Sequence, residues 1–142
     1  MPRTANVYAP PAYNGLQDGS PPGYSDVGFD YVYNISLSAN QSLVDQQPIA
    51  NDADFAWRAI YISSNTGSFA VRFSDSQWYW LSSARILNTN LPGDAAAPFP
   101  VFPELLLPAG GRIGIDLLDL SGAPNTIQIV FRGVKRYRVA GL

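Results

Sequence analysis

The residues able to do chemistry are few, and their spacing suits little of it. The 142-residue chain has no cysteine and no histidine, a single lysine, and a single glutamate at position 104. Without cysteine there is no disulfide and no thiolate nucleophile. Without histidine the side chain that usually serves as a base near neutral pH is missing. Glycoside hydrolysis would need two carboxyl groups about 5–10 Å apart. Glu104 stands among prolines, and Asp116 and Asp119 flank a strand end, where aspartates ordinarily serve turns and solvation. Asn51-Asp52-Ala53-Asp54 offers oxygen ligands but lacks the rest of a calcium-binding loop, so it reads as a polar turn ahead of Phe55. The expectation is a chain with no enzymatic activity, no metal site and no cofactor.

Two clusters remain. The first is SQWYWL, residues 76–81. Aromatic faces stack on sugar rings, so exposed tryptophans on a β-sandwich would make a carbohydrate platform. Strand alternation over Gln77–Leu81, however, sets Trp78 and Trp80 on one face, where large aromatics fill a core. Tyr79 would then point outward alone, as the ligand-binding residue of the glycan alternative. The second cluster is RGVKRYR, in which Arg132, Lys135, Arg136 and Arg138 hold four of the nine cations. Alternation divides it between two faces. With a net charge of −2 the chain has no global field to attract nucleic acid. The cluster reads instead as a charge-protected edge strand or as a partner contact.

The elements that must hold these residues follow from periodicity. Residues 1–27 are rich in proline and glycine and carry Tyr8, Tyr13 and Tyr24. Proline fixes φ and removes a donor, so this is an extended arm, and its tyrosines are anchors that dock it. From Gly28 the period becomes two, with Phe29, Tyr31, Tyr33, Ile35 and Leu37 on one face. Further strands are expected at Ala56–Ser63, Phe69–Ser74, Gln77–Leu81, Arg112–Leu117 and Thr126–Arg132, with a last piece at Val134–Val139. A long proline-studded loop, LPGDAAAPFPVFPELLLPAGG, separates two of them. Short strands at regular spacing with turn residues between them spell an all-β domain over residues 28–142. The long connections favour an antiparallel sandwich of jelly-roll or Greek-key type. The opening residues lack an apolar h-region and no run of 18 apolar residues occurs, so neither a secretory signal nor a membrane-spanning helix is expected.

The C-terminal third carries a likeness. Its sequence, FPELLLPAGGRIGIDLLDLSGAPNTIQIVFRGVKRYRV (residues 102–139), resembles the small jelly-roll decoration, or cement, proteins of tailed bacteriophages. Its features are a prolyl loop, LPAGGRIGID, a DLSGAPN turn and TIQIVFRGVKRY. The resemblance implies a structural virion protein, assembled in the host cytoplasm, that lies on the capsid lattice. Its partners would be the major capsid protein and copies of itself, as dimers or trimers, with no specific nucleic acid and no membrane. Tyr8, Tyr13 and Tyr24 would anchor the arm, and Arg132, Lys135, Arg136 and Arg138 would meet acidic capsid surface. The alternative is a glycan- or receptor-binding sandwich of a tail or head fibre.

Overall fold

The computed structural model describes residues 20–65, 67–91 and 98–139. Within them run eight strands: β1 (Tyr24–Leu37), β2 (Ser42–Pro48), β3 (Asp54–Ser64), β4 (Phe69–Ser74), β5 (Ile86–Leu87), β6 (Phe99–Leu107), β7 (Arg112–Asp119) and β8 (Asn125–Arg138). The only helical piece among the described residues is a 3₁₀ turn, Asn88–Asn90, after β5. The strands form two four-stranded sheets, ordered β1-β8-β3-β6 and β2-β7-β4-β5. Every pairing is antiparallel. The all-β expectation therefore holds, with the sheets facing each other across one core.

Alternation builds that core. Tyr31, Tyr33 and Leu37 of β1, Phe55, Trp57 and Ile60 of β3, and Ile127, Ile129 and Phe131 of β8 are buried from the first sheet. Phe69, Val71 and Phe73 of β4 and Ile113, Ile115 and Leu117 of β7 meet them from the second. Three rings lock the layers edge to face: Trp57 lies 5.5 Å from Phe73 and 5.2 Å from Phe131, and those two phenyl rings are 5.6 Å apart. Such pairs add to burial because the positive ring edge meets a negative face. The Trp57 indole N–H donates to the Ala59 carbonyl at 2.8 Å, so its polar atom is satisfied.

Several expectations need correcting. The first strand starts at Tyr24, four residues before the anticipated boundary at Gly28, so Tyr24 belongs to β1. Tyr8 and Tyr13 lie outside the described residues. Ser42–Pro48 is a strand that the hydrophobic pattern hides, because its inward positions include Asp45, which accepts from the Tyr33 hydroxyl at 2.8 Å. Part of the prolyl loop is the edge strand β6; Pro100 and Pro103 are tolerated because an edge has one unpaired side. The C-terminal pieces are one 14-residue strand. Gly133 lets it pass, since a Cβ there would strike the Ala56 carbonyl where β3 bulges at Arg58.

Candidate functional site

SQWYWL is neither strand nor core. After β4 the chain turns on Asp75. Its side-chain oxygen accepts the Gln77 amide at 2.9 Å and the Tyr79 amide at 3.0 Å, and its carbonyl accepts the Trp78 amide at 3.1 Å. The turn sets Trp78 at φ +64°, a region where a bulky side chain is a genuine outlier. This is why alternation misplaces the indoles. One left-handed residue breaks the period of two, and the aromatics swing onto the outer face of the second sheet. Trp78 is 37% exposed and Tyr79 71% exposed. Ser74 and Trp80 form only an isolated bridge. The buried tryptophan is Trp57, which the sequence reading placed in a strand without assigning it that role.

Gly114 makes the seat. It lies on the outer face of β7, and a Cβ there would run into the Ser74 hydroxyl and sit 2.5 Å from the Trp78 ring. The indoles of Trp78 and Trp80 meet edge to face at 6.0 Å. The Arg72 guanidinium lies 4.3 Å from the centre of the Trp80 ring, and that of Arg112 5.5 Å from Trp78, both within cation–π range. Beneath them Asp116 is buried and accepts from Arg72 Nε at 2.9 Å and from Arg85 at 3.0 and 3.1 Å. Sequence position alone suggested a solvated turn aspartate. It is instead the common anchor of two arginines, and its oxygens are taken up by guanidinium donors. Asp119, three residues on, is the turn residue expected. It accepts from the Ser121 hydroxyl and then from the amides of Asn40, Ser121 and Gly122, and these bonds, the hydroxyl's first, hold its carboxyl down to about 2.

The basic stretch is not the edge strand expected. β8 lies between β1 and β3, so it is not an edge strand. Its cations are also bound within the chain. Arg136 grips Asp26 with two hydrogen bonds, at 2.8 and 2.9 Å. Arg132 grips Asp30 at 3.1 and 3.2 Å and also donates to the Tyr61 hydroxyl. Lys135 bonds Asp52 at 2.9 Å, with its ammonium 4.1 Å from the Phe29 ring centre. Arg138 lies over the Tyr24 ring at 5.6 Å, one rung of the β1–β8 ladder. Tyr137 also donates to Asp52. The bonds to Lys135 and Tyr137 hold the Asp52 carboxyl below its ordinary value and raise both partners above theirs. Arg132, Lys135 and Arg136 are thus paired with carboxylates of the same chain, while Arg138 meets only a ring among the described residues.

One further residue escaped the sequence reading. Phe102 is 94% exposed. The β3–β6 register runs from Trp57↔Leu105 to Ala59↔Pro100, so residues 101–104 swell out of the ladder and carry Phe102 with them. Glu104 pins the swelling through Arg58 at 2.7 Å and Arg136 at 3.6 Å. The prolines on either side marked a loop, and nothing in the spacing distinguished a loop phenylalanine from an edge-strand knob. Among the described residues no group of three acidic, histidine or cysteine side chains gathers as a metal site. No family model matches the chain, and no curated protein is similar enough to stand as a relative.

Proposed function

We propose that the chain is a non-enzymatic adhesion protein of a bacteriophage particle, a jelly-roll decoration protein that binds and stabilises the head lattice. Its partners are the major capsid protein and copies of itself, and it works in the assembled virion without a cofactor. The strand order supports the jelly-roll part of this reading, since β1-β8-β3-β6 against β2-β7-β4-β5 is the order that two interleaved Greek keys produce. The charge pattern supports the adhesive part. Carboxylates and cations pair with each other within the chain, while Val32, Val44, Leu87 and Leu106 stand exposed on strands. A surface of paired charges bearing apolar side chains suits contact with other protein. A lattice would then multiply modest contacts into firm attachment.

The observation that carries the reading is Phe102, an aromatic knob held out by a pinned bulge. Anchors of this kind dominate interfaces, and removing one costs about 2 kcal/mol or more of binding. The test mixes purified protein with phage heads assembled without it and measures what sediments with them. Wild type should bind. Phe102→Ala should lose most of the binding while melting at the same temperature, because the side chain supports nothing within its own fold. Failure of wild type to bind heads, or equal binding by the variant, would reject this proposal.

A second reading is favoured by one observation, the exposure of Trp78 and Tyr79 on the second sheet. It makes that face a glycan-binding site of a fibre module. A glycan array separates the two readings: hits that disappear with Tyr79→Ala would favour the fibre module.

A further inference from the structure

A sandwich of two open sheets has four edges, and natural proteins blunt such edges to prevent unwanted pairing. Three of the four are blunted here. β5 has only two residues. β2 turns Asp45 inward and ends at Pro48. β6 carries Pro100 and Pro103 and loses register opposite the β3 bulge. The fourth edge, β1, has none of these devices among the described residues. It is 14 residues long, holds no proline and no lysine, and stays in register with β8 without a break from Tyr24↔Arg138 to Leu37↔Asn125. Its two carboxylates do not deter a neighbour either, because Asp26 and Asp30 are bound by Arg136 and Arg132 of the next strand.

The ladder also tells which backbone groups look outward. The Val139 amide donates to the Gly23 carbonyl. The odd-numbered residues of β1 therefore turn their N–H and C=O toward β8, and the even-numbered ones turn theirs away. Gly28, Asp30, Val32, Asn34 and Ser36 direct theirs to the rim, where no strand pairs with β1 among the described residues. Val32 sits in the middle of that row with its side chain 48% exposed.

We propose that this rim joins two copies of the chain, antiparallel, about a two-fold axis through Val32, fusing their first sheets into one. The occupant is a second copy because the strand is complementary to itself in this register. Val32 meets Val32, Asp30 lies opposite Asn34, and Gly28 opposite Ser36. On the other face Tyr31 meets Tyr33 and Phe29 meets Ile35. Even-numbered residues oppose even-numbered ones, so donors meet acceptors along the row. A shift of the axis to position 30 would set Val32 against Gly28 and lose the valine pair, and side-chain pairs across the strands are what stabilise a sheet. A shift to position 31 would put Asp30 against Val32. The contact is isologous, so it closes at two chains and does not run on into a fibre. This inference does not depend on the capsid reading, since it concerns the free protein.

The native chain has no cysteine, so a single introduced thiol reports without interference. Val32→Cys should form a disulfide-linked dimer on mild oxidation, since residues paired across antiparallel strands lie within disulfide reach. Val44→Cys, more exposed but on the second sheet, should stay a single chain. Wild type should sediment as two chains and dissociate on dilution. Val32→Lys, with two ammonium groups on the axis, should sediment as one. Amide exchange on wild type provides a check without substitution: Asp30, Val32 and Asn34 should exchange more slowly in concentrated than in dilute solution. Wild type that sediments as one chain at every concentration, or as three, would overturn the proposal. So would cross-linking of Val32→Cys no faster than of Val44→Cys, or exchange rates at those amides that ignore concentration.

Discussion

Asp119 shows how much one side chain can hold. Its carboxylate takes the Ser121 hydroxyl and the amides of Asn40, Ser121 and Gly122, and so fixes the turn between β1 and β2 and the turn between β7 and β8 together. Those bonds favour the charged form and lower its titration to about 2. The unfolded chain titrates at its ordinary value of about 4. The folded state therefore gains from the ionised carboxylate above that value, and the gain drains away as pH falls toward 2. Melting temperature followed across this acid range should fall steeply in wild type. Asp119→Asn should melt lower than wild type at neutral pH and lose most of that slope. A variant whose slope matches wild type would assign the acid sensitivity to other carboxylates.

At the scale of elements, glycines mark where strands come close. Gly133 faces the Ala56 carbonyl with no room for a Cβ, whereas nothing lies within 4 Å of a Cβ on Gly28 in the neighbouring strand. Gly133→Ala should cost about 1–3 kcal/mol, the usual penalty for forcing atoms into a packed site. Gly28→Ala should be neutral or stabilising by about 0.5–1 kcal/mol, because a strand glycine loses more freedom on folding. Urea midpoints on the two variants check both signs. The same scale shows what the sequence made legible. β1, β3, β4, β7 and β8 were readable because their inward positions are large and apolar, as in Ile113, Ile115 and Leu117. β2 was not, because an inward Asp45 satisfied by the Tyr33 hydroxyl carries no hydrophobic signal. β6 was not, because proline excludes a central strand and yet permits an edge. SQWYWL failed for a third reason: the φ of Trp78 is a tertiary choice, set by the Asp75 turn and the seat at Gly114. The basic run was legible as a strand but not as an interior one, since its ion-pair partners lie about 80 to 110 positions away in the chain.

At the scale of the whole molecule, the two sheets differ in reach. β1 and β8 have 14 residues each, while β2, β4 and β7 have between 6 and 8. The first sheet thus extends past the second, and Val27 and Phe29 remain exposed on the extension. Tyr24 and Arg138 share the last rung, and this neighbourhood decides how the protein answers to force. Tension applied through those two positions would open the ladder one rung at a time, like a zip, and should meet weak resistance. Tension applied between Tyr24 and Asn125 would load every rung in parallel and should meet much more. Single-molecule stretching through the two attachment pairs compares the rupture forces directly, and similar values would contradict this geometry. Such a ladder is strong against strain along its strands and soft to a pull that parts its last rung.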